Sequence, residues 1–156
     1  MNWFEAQAYC NWLSAVTRHS YQLPTELEWE KAARNSDGRA YPWDGKFSSA
    51  ASNTLESHFY TSTPVGLYLN GVSPYGLFDC SGNVWEWTQS YNQAFPESAV
   101  TSDDFGERFY VVRRGSWNNN RRNAHCAYRN RNVPDYFNFT LGFRILSPGV
   151  FLDSAC

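Results

Sequence analysis

Apolar residues recur every three to four positions near the start of the chain, with Trp3, Ala6, Cys10 and Leu13 on one helical side and Tyr9 at its edge. This spacing predicts a helix over residues 2–14. Asn2 followed three positions later by Glu5 forms its start signal, because each side chain can take up a backbone N–H that the first turn leaves free. Phe4, Ala8 and Trp12 fall on the opposite side, so the helix is expected to be covered over most of its surface. Thr25-Glu-Leu-Glu28, directly after Pro24, repeats the start signal and predicts a second helix reaching to about Arg34. From Asn35 the helical period is lost, and Ser36-Asp-Gly38, Tyr41-Pro-Trp-Asp-Gly45 and Asn70-Gly71 read as turns. Strand patterns follow at Asn83 to Thr88, Phe109 to Arg113 and Leu141 to Leu146. Helices first and short strands later predict an α+β fold, and the absence of repeats or a low-complexity linker makes residues 1–156 a single domain.

Composition sharpens this picture in three ways. Seven tryptophans against one methionine point to a rigid aromatic core. No apolar run approaches the ~20 residues needed to cross a bilayer, and no basic-then-apolar leader precedes Trp3, so neither membrane insertion nor export is expected. Cys10, Cys80, Cys126 and Cys156 lack any C-x-x-C spacing, which argues against zinc and for reduced, mostly buried thiols. His19, His58 and His125 share no metal-ligand spacing either.

Charge is polarised. The chain has a formal net charge of −2, yet Arg113, Arg114, Arg121, Arg122, Arg129, Arg131 and Arg144 crowd one segment in which Asp135 is the lone acid. Asparagines and aromatics are interleaved with these arginines. Tyr136-Phe-Asn-Phe-Thr140 puts aromatics on both sides of an extended strand, so some of Tyr128, Tyr136, Phe137 and Phe139 must point outward. Rigid aromatics among small amides are the chemistry of binding surfaces. A nucleic-acid groove is disfavoured by the sequence pI near 5.9 and by the lack of lysine in the segment.

Taken together, Tyr9-Cys-Asn-Trp-Leu13, Tyr21 to Arg34, Tyr41-Pro-Trp43, Ser81-Gly-Asn-Val-Trp-Glu-Trp87, Arg114-Gly-Ser-Trp117 and Leu141-Gly-Phe-Arg144 resemble the formylglycine-generating enzyme (sulfatase-modifying factor) family. The resemblance implies a C-type-lectin-like fold of two helices, an antiparallel sheet and long irregular loops. Enzymes of that family use a cysteine pair shortly after the Gly-Ser-aromatic block, where this chain reads Asn118-Asn-Asn-Arg-Arg-Asn-Ala124, so no enzymatic activity is expected. An oxidase-like relative with altered chemistry and a nucleic-acid or acidic-ligand module remain the alternatives. The last third, Gly115-Ser-Trp-Asn-Asn-Asn120, Arg129-x-Arg131, Pro134-Asp135 and Gly142-Phe-Arg144, resembles the variable region of proteins diversified by retroelements. Template adenines are substituted in that family, so Asn codons are starting points for many residues.

This second resemblance implies a ligand-binding protein with a hypervariable surface at about 113–144. Its candidate contact residues are Asn119, Asn120, Tyr128, Asn130, Asn132, Tyr136, Phe137, Asn138, Phe139 and Thr140, on a scaffold that includes Trp117, Arg129, Arg131 and Arg144. The expected partner is a protein or another macromolecule, in a cytoplasmic or virion-associated setting. Asp79, Asn83 and Glu86, around Ser81-Gly82, resemble the calcium-binding turn of the enzyme family, which makes Asp79 and Glu86, with Asn83 beside them, candidate ligands of a structural calcium; no other cofactor is expected.

Overall fold

The computed structural model describes residues 1–148. Helix α1 spans Trp3–Thr17 and helix α2 spans Glu26–Arg34. Both begin with the reciprocal caps expected of them. Asn2 Oδ1 accepts from Glu5 N–H at 2.9 Å while Glu5 Oε2 accepts from Asn2 N–H at 2.7 Å. Thr25 and Glu28 repeat the exchange, at 3.2 and 2.8 Å. α1 runs one turn beyond its expected end and stops at Arg18, whose φ of 60° lies in the left-handed region.

Strands β1 (Trp85–Asn92), β2 (Gly106–Arg113), β3 (Arg129–Asn132) and β4 (Leu141–Phe143) form one sheet in the order β3-β2-β1-β4. β1 pairs antiparallel with β2, and β2 with β3. β4 runs parallel to β1, so the sheet is mixed rather than antiparallel as expected. The expected strand at 141–146 also divides: Phe143 ends β4, and Leu146 returns only to exchange backbone bonds with Gln22 at 3.0 and 2.8 Å. Edge strand β3 carries no apolar alternation in Arg129-Asn-Arg-Asn132 and was therefore not predicted.

Alternation along the sheet sends Trp85, Trp87, Tyr110, Val112 and Leu141 to the α1 side, where Ala6, Cys10 and Leu23 complete a core. Trp3 stacks on Tyr110 with ring centroids 4.2 Å apart and donates its indole N–H to Thr88 O at 2.9 Å. Trp29 and Ala33 of α2 meet Cys80 and Cys126 in a second cluster. Cys10, Cys80 and Cys126 are buried free thiols, and Cys156 lies outside the described residues.

One expectation about α1 is corrected. Ala6 and Cys10 are its buried residues, while Phe4, Trp12 and Val16 are exposed on the side facing away from the sheet and Tyr9, at its edge, packs against Phe143 of β4. Among the described residues the helix is covered on one side only.

Candidate ligand-binding face

Two buried carboxylates hold the arginine-rich segment in place. Glu26, in the first turn of α2, pairs with Arg113 Nη1 through Oε1, and the fork of Arg129 grips both of its oxygens at 2.8 Å. Arg113 is fully buried, also reaches Glu30 at 2.8 Å, and lies over the Trp29 ring. Arg129 donates to Gln93 O at 2.7 Å and covers the Phe95 ring at 4.7 Å.

Glu86 on β1 is the second anchor. It accepts from the Trp29 indole at 2.6 Å, from Arg144 Nε at 2.6 Å and Nη2 at 3.1 Å, and from Arg114 Nη1. Burial alone would raise the Glu86 pKa, but Arg114 and Arg144 outweigh it and hold the carboxyl below its ordinary value. Burial likewise works against the charge of Arg144, and Glu86 reverses the balance and raises it. Arg114 also donates to Gly82 O. Gly82 has φ of 72°, and a Cβ there would stand 2.2 Å from Asn53 O, so only glycine fits this turn.

From this frame two loops and an edge strand present the candidate contact residues. Trp117 is pinned by its N–H to Asn83 O at 2.9 Å, and its ring stacks on Phe139 with centroids 5.8 Å apart and planes at 24°. Tyr128 tilts against buried Trp85 at 5.9 Å, and Trp85 N–H bonds to Thr140 O at 2.8 Å, which brings the two loops together around one tryptophan. Phe139 is 76% exposed, Phe137 71%, Tyr136 44% and Tyr128 37%, so all four aromatics open to solvent.

The amides divide by role. Asn138 Oδ1 accepts from Thr140 N–H and Oγ at 2.8 Å, and Asn138 Nδ2 donates to Tyr136 Oη at 3.1 Å. Asn119 Oδ1 accepts from Ser116 N–H at 3.1 Å and Oγ at 2.7 Å. Both are half-buried turn-makers, and Thr140 is buried. Asn120 is exposed and accepts from Arg122 N–H at 3.0 Å. Asn130 and Asn132 lie half-buried along β3, and Asn130 Oδ1 accepts from Arg131 N–H at 2.9 Å. Arg131 pairs with Asp104 at the surface, a far more exposed contact than those of Arg129 and Arg144.

Sequence reasoning missed the acids outside the segment. Glu26 and Glu30 resemble ordinary helix residues, and Glu56, which accepts from Arg121 N–H at 2.9 Å, lies 65 positions away. A helix-start glutamate gives no local sign of a partner on a distant strand.

The residues proposed for calcium do not suit it. Both Glu86 oxygens face guanidiniums, Asp79 Oδ2 accepts from Gly66 N–H at 2.7 Å, and Asn83 Oδ1 accepts from Thr63 N–H at 3.0 Å. A dication beside Arg114 and Arg144 would be repelled, and a hard ion needs oxygens that are not already engaged. Among the described residues no group of three or more His, Cys, Asp or Glu forms a metal site. A cleft of about 470 Å³ runs beside β4 between Val65, Phe78, Val84 and Phe143, and none of the four exposed aromatics lines it.

The model of the sulfatase-modifying factor enzyme 1-like domain matches residues 1–148. The chain belongs to this family. It is 35% identical over 162 residues to the inactive C-alpha-formylglycine-generating enzyme 2 of Bos taurus, covering 94% of the chain and 48% of the relative. To the hercynine oxygenase of Mycolicibacterium thermoresistibile it is 35% identical over 136 residues, covering 75% of the chain and 28% of that enzyme. The chain thus spans about half the length of the first relative and less of the second. Among solved structures, Treponema denticola variable protein 1 superposes with a TM-score of 0.77 at 22% identity, covering 93% of this chain and 68% of that one. This sulfatase-modifying-factor-like domain therefore has the C-type-lectin-like fold of its family, and its relatives include both enzymes and a protein named as inactive. No helix among its described residues is long and apolar enough to cross a membrane.

Proposed function

We propose that the chain is a non-catalytic binding module that presents the face built from residues 118–140 to a protein or other macromolecule, and that a retroelement diversifies this face. The observation that carries the reading is the exposure of Tyr128, Tyr136, Phe137 and Phe139 on loops anchored by buried ion pairs. Four exposed aromatics would be a liability on an idle surface. On a rigid frame they offer contact area at little ordering cost.

The similarity in fold to a variable protein supports the same reading. The oxidase-like alternative requires accessible thiolates. Burial pushes Cys126 up to about 12 and raises Cys80 as well, which keeps both thiols protonated and poor as soft-metal ligands.

The test is to sequence the DNA flanking the gene. A near-copy of the codons for about 113–144, differing only at its adenines and lying beside a reverse-transcriptase frame, is the expected result. Absence of both overturns diversification. Oxygen consumption by the purified protein with copper and a thiol substrate would overturn the non-catalytic reading.

A further inference from the structure

The turn at residues 80–82, just before β1, grips both ends of the loop that carries Asn118 and Asn120. Gly82 N–H bonds to Arg114 O at 3.0 Å where the loop begins, and Ser81 Oγ donates to Ala124 O at 2.9 Å where it closes. The next step of this ladder is a pair of thiols. Cys80 directly precedes Ser81, Cys126 lies two positions after Ala124, and both belong to the buried cluster that Trp29 and Ala33 of α2 complete. Cys80 is 1% exposed and Cys126 0%, whereas Cys10 lies in the separate core beneath α1. Cys126 is also held through its backbone: its N–H donates to Ala40 O at 2.8 Å and its carbonyl accepts from Arg113.

A single buried cysteine packs like a small hydrophobe and needs no further role. Two that share one small cluster, on segments already bonded to each other, meet the first requirement of a disulfide, which is side-by-side placement on a held backbone.

We propose that Cys80 and Cys126 are an oxidisable pair whose disulfide closes the base of the 114–126 loop. The oxidant is a small disulfide of the glutathione class. The Cys80 thiolate attacks one sulfur of that reagent, breaks its S–S bond and expels one small thiol. Cys126 then attacks the Cys80 sulfur of the mixed disulfide and expels the second. Two protein S–H groups are exchanged for one S–S bond, two electrons pass to the reagent, and the two protons leave on the released thiols. Cys80 attacks first because Arg144 Nη1 stands 3.4 Å from its sulfur, where a cation favours the thiolate. Burial keeps both thiols protonated while the cluster is closed, so exchange proceeds through local openings and is slow.

In the reduced chain the loop is held at its base by hydrogen bonds and packing, and in the oxidised chain it is held covalently as well. The bond leaves the solvent-facing positions of the loop unaltered and does not depend on what they bind.

The full chain, first reduced and then incubated with millimolar oxidised glutathione near pH 8, tests the pair. Peptide mapping without reduction should find Cys80 joined to Cys126. The melting temperature should rise by about 5–15 °C and return to its starting value with dithiothreitol. Cys80→Ala and Cys126→Ala should each abolish both effects, and Cys10→Ala should retain them. Thiols that stay free even when low urea promotes opening, or that carry glutathione alone, overturn the proposal, as does either cysteine joined instead to Cys10 or Cys156. A bond between Cys80 and Cys126 that fails to raise the melting temperature overturns it equally, since such a bond forms only by distorting the native cluster.

Discussion

Replacing Glu86 with glutamine removes the charge that two arginines share while keeping nearly the same shape. Glu86 is 3% exposed and Arg114 3%, so the lost pairing cannot be made good by water. Removing one partner from a buried ion pair typically costs ~3–5 kcal/mol, because the remaining charge stays desolvated. Two cations left side by side, Arg114 and Arg144, put this case at the upper end. Against a total stability of ~5–15 kcal/mol, the loss is a large fraction of the fold. Equilibrium unfolding in urea, followed by tryptophan fluorescence at neutral pH, should show the midpoint fall without a change in slope.

The effect should also depend on pH in one direction. The folded-state pKa of Glu86 is held below its ordinary value, so its contribution is present above the unfolded pKa and is lost as pH falls through the folded one. Wild type and Glu86→Gln should therefore converge in stability under strongly acidic conditions. A difference below about 1 kcal/mol at neutral pH, or one that grows on acidification, would refute the view that Glu86 anchors the frame.

Other consequences are as direct. Phe137→Ala with Phe139→Ala should change the melting temperature by no more than a few degrees, since both rings are more than 70% exposed, yet abolish binding to any ligand recovered by selection; a large loss of stability would show that they are core residues. Gly82→Ala should cost more than about 2 kcal/mol in urea unfolding, because it combines positive φ with a backbone collision, and a neutral result would refute that turn geometry. Chelation of calcium should leave the melting temperature unchanged, and a drop on adding chelator would restore Asp79 and Glu86 as ligands. Native protein treated with iodoacetamide near pH 8 should carry no label on Cys126, as peptide mass mapping can show, since burial keeps that thiol protonated up to about 12.

The helices were legible because both capping boxes are local signals, complete within four residues. β1 and β2 were legible through their apolar content, though β1 starts at Trp85 rather than Asn83, whose φ of 68° places it in the turn before the strand. β3 was not legible, since polar Arg129-Asn-Arg-Asn132 is a strand only by pairing with β2. The aromatics are exposed as expected but for a different reason, because residues 136–140 form a loop and turn rather than the extended strand that alternation requires. The turn-capping by Asn119 and Asn138 did not show in the sequence, because an asparagine that closes a turn and one that faces a ligand have the same letter and similar neighbours. Nor did the mixed sheet, because strand direction depends on the path of a connection and not on the strand's own residues.

Glu26 and Glu86 sit far upstream of the residues they restrain. The arginines that carry the loops are thus tied to acids lying outside the segment from Trp117 to Thr140. Rewriting the solvent-facing letters of that segment leaves the acids untouched and takes little from folding free energy, so many alternative surfaces are compatible with one fold. Substitutions can then accumulate on that surface without each new version having to rediscover how to fold. The same separation would let a designer randomise the exposed positions as a library while keeping the arginines, Trp117 and Gly82 fixed.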